Sequence, residues 1–311
     1  MAQQPKVNYL TNKDILKEIH KSKISFCSLT DEKYGQYDLI LCSALDEFIE
    51  ADQDLINAIL TDPSTLRLAK ENQASRIQSE GYTKAMLLFK SDKTSFPSKP
   101  KQKDFLVDID TIADDDVVIR VMTYSHVPDA PGRKKTPKTL AETKERVNFP
   151  AFKQFCVING EAVEVCRSHW QGSISNGHFD VNCGRITNKL GTMFLKLVER
   201  YSYKGNWRGY TYIDEMRGQA LVNLSQVGLQ FNEAKSQNPF AYYTAATNNS
   251  FTKVLNLEKK NQELRDDILV QNGFMPSYTR QLAHEDQIRN MRETAAEESS
   301  SANNSGSFSD F

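Results

Sequence analysis

Residues 206–265 read NWRGYTYIDEMRGQALVNLSQVGLQFNEAKSQNPFAYYTAATNNSFTKVLNLEKKNQELR, and the rest of the chain is organised around them. From Ile213 the apolar side chains fall at Ile213, Met216, Ala220, Leu224, Val227 and Phe231. Steps of three and four draw one stripe down a helix. Residues 232–237 break the pattern and predict a tight polar turn. Asn238-Pro239 then restarts a helix, with Asn as N-cap and Pro at the first helical position, where its missing N–H costs nothing. This second helix has a core stripe at Phe240, Tyr243, Thr247, Phe251 and Val254.

Its opposite face runs Tyr242, Ala245, Asn249, Thr252, Asn256 and Lys259, flanked by Asn248, Lys253 and Lys260. Amides and hydroxyls can hydrogen-bond base edges, aromatic rings can stack on bases, and Lys neutralises phosphate. A solvated helix face is the plainer reading, and spacing alone favours it. Such a face usually carries more Glu and Lys, however, and fewer amides.

Upstream, Leu190, Met193, Phe194, Leu197, Val198 and Tyr201 form the clearest amphipathic helix, capped by Thr187 or Asn188. Residues 186–265 are thus a three-helix unit. Downstream, Asp266–Val270 can extend the last helix until Asn272-Gly273 stops it, and 281–292 suggest a weak helix. Residues 294–307 have almost no apolar surface to bury and are expected to be disordered. Phe308, Asp310 and Phe311 follow; two aromatics with no core to join suit a partner's pocket, unless they are accidental.

Nearer the N-terminus, Thr11 and Asp14 form a capping pattern before Ile15, Leu16 and Ile19, predicting a short helix to about Lys21. Leu45 to Leu60 follow helical spacing up to Asp62-Pro63. Ser64 can cap a further helix to about Gln78, with Gly81 as an interruption and 91–103 as a polar linker. Asp114–Asp116 reads as a solvated turn before a strand over 117–124. Residues 128–150 are basic and Pro-rich, a phosphate-contacting loop or simply an exposed one. Phe155–Ile158, Asn159-Gly160 and Ala162–Cys166 predict a β-hairpin with a type I′ turn. Cys166, His169, His178 and Cys183 are zinc-ligand types, but their spacing fits no familiar finger, and unrelated residues are the favoured reading.

The architecture expected is mainly α with a small β-containing insert: 1–29 extended then helical, 30–185 the insert, 186–265 the helical unit, 266–293 an extension and 294–311 a tail. Five scattered cysteines in 311 residues suggest reduced thiols. The longest purely apolar run, Ala85–Phe89, is far short of a membrane span. Net charge is segregated: −5 over residues 1–130, +9 over 131–265 and −5 over 266–311. The basic middle should face a polyanion and the acidic ends should face protein.

The run GYT–EM–FNEAK–NPFAYYT, between one helix and a second with a basic end, resembles region 2 of the bacterial sigma-factor family. The likeness is greatest to the late-transcription branch found in T-even-type bacteriophages. PKVNYLTNKDILKEI near the start is similar to that branch's N-terminus, and SFSDF to its clamp-binding tails. The resemblance covers about a third of the chain.

It implies a non-enzymatic factor without a cofactor, acting in the cytoplasm of an infected bacterium. Tyr212, Ile213, Asp214, Glu215 and Arg217 would bind the host RNA polymerase core. Tyr242, Tyr243, Ala245, Asn248, Asn249, Thr252, Lys253, Asn256, Lys259 and Lys260 would hold the non-template strand of an A·T-rich −10 promoter element. Phe308, Asp310 and Phe311 would dock on a phage sliding clamp, with a late co-activator assisting. One departure matters: Ala246 and Thr247 stand where primary sigma factors carry paired tryptophans, which implies weaker base capture. Two other classes stay open, a small metal-dependent nuclease built on His169, Asn176, His178 and the cysteines, and a structural phage protein.

Overall fold

The computed structural model describes residues 10–41, 53–92, 98–128 and 147–305, with side chains as far as Glu297. The chain is mainly helical with a small mixed sheet. In order the elements are α1 (Asn12–Ile24), β1 (Cys27–Leu29), β2 (Leu39–Leu41), α2 (Gln53–Leu60), α3 (Pro63–Ser91), β3 (Ile119–Met122), β4 (Phe152–Ile158) and β5 (Glu161–Ser168). A short ribbon of β6 (Trp170–Gln171) and β7 (His178–Phe179) follows, then α4 (Asn188–Ser202), α5 (Ile213–Val227), α6 (Pro239–Gln271) and α7 (Tyr278–Ser305). No helix among the described residues is long and apolar enough to cross a membrane.

The sheet runs β1-β5-β4-β3-β2, antiparallel except for the parallel β2–β3 pair. Its hairpin turn is as expected: Asn159 and Gly160 have φ of 53° and 83°, the left-handed pair a type I′ turn needs. Alternation along β3 sends Ile119 and Val121 to a core with α2 and α3, and Met122 to the main core. The sheet is therefore covered on both faces. On the bundle side, Phe152 and Cys166 join Ile15, Ile19 and the stripes of α4, α5 and α6 in one cluster.

The predicted insert thus shares its core with the predicted helical unit. α1 belongs there too; Thr11 caps it by accepting from Asp14 N–H at 3.2 Å, and Ile15 and Ile19 lie buried against α4 and α6.

Four details depart from the sequence reading. Gly81 does not interrupt a helix: α3 runs unbroken, capped by Asp62 rather than Ser64. A Cβ at Gly81 would come within 3.1 Å of the Phe105 ring, so this glycine serves a close approach. β1 and β2 were not foreseen. Helix α7 continues through Ser305, into the stretch 294–307 where a disordered tail was expected; Ala and Glu in this stretch have high helix propensity. Phe240, assigned to the core stripe, is 44% exposed. Most of the basic 128–150 loop (129–146), the 45–52 part of the Leu45–Leu60 pattern and the 308–311 aromatics lie outside the described residues.

Candidate nucleic-acid interface

Helices α4, α5 and α6 form the predicted bundle. Leu190, Met193, Phe194, Leu197, Val198 and Tyr201 are all buried, as are Met216, Ala220 and Leu224 on α5 and Tyr243, Thr247, Phe251 and Val254 on α6. Thr187 caps α4 by accepting from Leu190 N–H at 3.3 Å. Ile213 and Val227 are half-buried at the two ends of the α5 stripe. At Gly228 a Cβ would meet the Phe194 ring at 2.7 Å. Only glycine lets the end of α5 approach α4 that closely.

The turn between α5 and α6 is held by more than its own sequence. Asn238 caps α6 by accepting from Ala241 N–H at 3.1 Å, and Asn232 accepts from Ala234 N–H at 2.9 Å. Below them Lys23, 1% exposed, donates from Nζ to Phe231 O and to Glu233 Oε2, both at 2.6 Å. Burial alone would raise the Glu233 carboxyl, but Lys23, with Arg120 behind it, reverses that and holds it below the ordinary carboxylate range. Arg120 on β3 is itself buried, donates to Gln154 Oε1 from Nε and Nη2, and lies between the rings of Tyr37 and Phe152. A helix, a sheet and a turn far apart in sequence thus meet in one buried charged cluster. Lys23 carried no sequence signal, and Glu233 stood only within the FNEAK run of the resemblance, with nothing to mark it as buried.

The predicted DNA-facing residues divide into four groups. Ala245, Asn249, Lys253, Asn256, Lys259 and Lys260 are exposed along one side of α6. Tyr242 and Thr252 are half-buried, the Tyr242 hydroxyl donating to Val227 O at 3.2 Å. Asn248 is exposed, but its Oδ1 accepts from the Tyr201 hydroxyl at 2.7 Å. Tyr243 is a correction. Its ring is 0% exposed and its hydroxyl donates to Gly228 O at 2.6 Å, so it has no surface to offer a base. Both tyrosines satisfy carbonyls at the end of α5 that lack intrahelical partners. Thr247, at a position the resemblance aligns with tryptophan, is likewise fully buried.

Between α4 and the start of α6 is a recess the sequence reading missed. Leu197, Arg200, Tyr201 and Lys204 of α4 and its C-terminal turn face Phe240, Thr244 and Leu10 around a cavity of about 170 Å³. Lys204 Nζ lies 4.2 Å from the Tyr201 ring centroid. The outward placement of Phe240, one residue past Pro239, makes this wall. Two cations on the free face of α4 were the only hint.

At the start of α5, Asp214 and Glu215 are exposed and Tyr212 is half-buried. Arg217 donates to Asp214 Oδ1 at 2.9 Å and to Ser202 Oγ at 2.8 Å, so it bridges α5 to α4. The zinc-type residues do not assemble: Cys166 lies in the main core, His169 Nε2 is 2.6 Å from Asn148 Oδ1, His178 is exposed, and Cys183 donates to Asp180 O. Among the described residues no three His, Cys, Asp or Glu side chains form a metal-sized group. Compared with protein-family models, with curated proteins and with solved structures, the chain finds no match.

Proposed function

We propose that the protein is a sigma-type initiation factor of a bacteriophage, which joins the host RNA polymerase core and opens an A·T-rich −10 element in the bacterial cytoplasm. The observation that carries the reading is the α5–turn–α6 hairpin. It sets an exposed acidic pair, Asp214 and Glu215, at the start of one helix and a line of amides and lysines along the other. The acidic pair meets the polymerase, and the line follows the non-template strand. Asn249 and Asn256 reach base edges, while Lys253, Lys259 and Lys260 neutralise phosphates.

The recess between Tyr201 and Phe240, about 170 Å³ with Arg200 and Lys204 in its lining, receives one base in this reading. Opening costs roughly 1.4 kcal/mol per base-pair step, and a base stacked on an aromatic ring returns about 1–3 kcal/mol. A few captured bases therefore decide the balance. Without the paired tryptophans the margin is narrow, which is where a co-activator and a sliding clamp held through Phe308, Asp310 and Phe311 enter this reading.

Base contacts and phosphate contacts separate experimentally. Asn249→Ala with Asn256→Ala is expected to weaken binding to a single-stranded −10 oligonucleotide about tenfold and to leave a random strand unaffected. Lys259→Ala with Lys260→Ala should lower affinity for both strands and flatten the log–log salt slope by about 1.4, at roughly 0.7 per single-strand phosphate contact. Fluorescence anisotropy at several salt concentrations reads both. Equal losses on the two strands for the asparagine pair would mean that this face reads charge alone.

A further inference from the structure

Helix α6 outruns the bundle it belongs to. Its inward stripe steps by four and three through Tyr243, Thr247, Ser250 and Val254, all buried against α4 and α5. The same stripe continues without a break through Leu257, Asn261, Leu264 and Ile268. Over this second half the neighbours have ended: Leu257, Leu264 and Ile268 are 51%, 52% and 58% exposed. α7 does not cover them. Its start holds α6 from behind at Asp266, to whose Oδ1 and Oδ2 Ser277 donates, and reaches one edge of the stripe, where Arg280 donates to Asp267 Oδ1 at 2.5 Å. Among the described residues nothing else covers this stripe, and a seam about 17 Å long, at 1.5 Å per residue, is left bare.

Apolar residues at alternating steps of three and four, with one Asn among them, are the pattern of a coiled-coil seam whose polar residue restricts register. The charges beside the seam say what covers it. Glu258 and Arg265 lie along one edge, Lys260 and Asp267 along the other. Suppose a second α6 lies antiparallel, with Leu257 opposite Ile268 and Asn261 opposite Leu264. Glu258 then faces Arg265 of the second copy, and Lys260 faces its Asp267. By symmetry each pair occurs twice: two Glu258–Arg265 pairs form, and on the other edge Asp267, already paired with Arg280 of its own chain, shares its carboxylate with Lys260 of the second copy. A parallel copy would set Lys260 against Arg265 on both sides, two like-charge contacts.

We infer that the projecting half of α6 is a self-association surface, on which two copies of this chain pair antiparallel through Leu257, Asn261, Leu264 and Ile268. The interface does not depend on the proposed function, and its test needs only the purified full chain. Sedimentation equilibrium should show a concentration-dependent dimer. Leu264→Asp should abolish it. Glu258→Arg, which faces Arg265 with a like charge twice per dimer, should raise the dissociation constant at least tenfold, and the double change Glu258→Arg with Arg265→Glu should restore it. Circular dichroism on each variant confirms that the helices are retained. A wild-type chain that stays monomeric overturns the inference, including one whose seam is covered only by another protein. A dimer indifferent to Leu264→Asp, or a double change that fails to restore pairing, overturns it equally.

Discussion

Replacing Lys23 by alanine is expected to cost about 3–5 kcal/mol of stability, because it leaves the Glu233 carboxylate buried without its principal partner. Lys23 also donates to Phe231 O, so the same change frees the backbone that leads from α5 into α6. Chemical denaturation should therefore show a lower midpoint. Binding to single-stranded promoter DNA should fall even under conditions where the variant is folded, since the turn that sets the start of α6 has lost its anchor. The pair Lys23→Met with Glu233→Gln removes both charges and keeps most of the volume. It should recover the greater part of the stability, because two matched apolar or neutral groups cost less than one stranded charge. A single Lys23→Ala variant as stable as the wild type would mean that Glu233 is not held as an ion in the fold.

The second large effect is acid destabilisation through three histidines. Burial, with Arg120 nearby, lowers His20 to about 4; burial, with Lys153 nearby, lowers His126 to about 3; burial, with Lys23 nearby, lowers His169 to about 3. His169 is wholly enclosed, while His20 and His126 are half-buried and contact Gly35 O and Ser168 O through Nε2. The unfolded chain protonates each histidine near pH 6.5, whereas the folded chain holds it neutral well below that. Between about pH 6.5 and 4 the unfolded state thus binds more protons. Stability is fully present above pH 6.5 and is lost as pH falls through this window.

Each group contributes about 1.4 kcal/mol per pH unit below its unfolded pKa. Counting His169 whole and the other two in part gives roughly 3 kcal/mol per pH unit. Against a typical total of about 5–15 kcal/mol, unfolding should set in near pH 5. Urea denaturation at pH 7.5, 6.0 and 5.3 reads the slope, and His169→Gln should reduce it by about one proton. The comparison stays above pH 5 so that carboxylates contribute little. A slope below one proton in the wild type would contradict the buried neutral histidines.

Much of this arrangement is legible in the sequence, and the parts that are not share physical reasons. The α4 stripe, the α6 cap at Asn238-Pro239 and the Asn159-Gly160 hairpin follow local rules of period, cap and turn, which no distant contact overrides. The exposed line from Ala245 to Lys260 follows from the same period. Lys23 and Glu233 lie 210 positions apart, and nothing local marks a surface-type residue as buried. β1 and β2 are three residues each, too short for alternation to register. Gly81 looks like a breaker because the ring it admits, Phe105, belongs to another segment. Spacing placed Tyr243 on the core stripe while the resemblance placed it against DNA, and its full burial with the hydrogen bond to Gly228 O decides for the core. Phe240 sits at the first turn of α6, where the core has not yet closed around the helix.

The central claim is that this chain gives a bacterial RNA polymerase core the ability to open promoter DNA, with Asp214 and Glu215 making the attachment. The direct test mixes purified core enzyme, the purified chain and a duplex with an A·T-rich −10 element carrying a fluorescent base analogue, and reads strand separation. The account predicts opening only when core and chain are both present. It also predicts that Asp214→Lys with Glu215→Lys abolishes opening and core association, while α5 stays folded because both side chains project from the exposed face. A chain that neither associates with core nor opens the duplex would contradict the account, as would a folded charge-reversed variant that opens it as well as the wild type does.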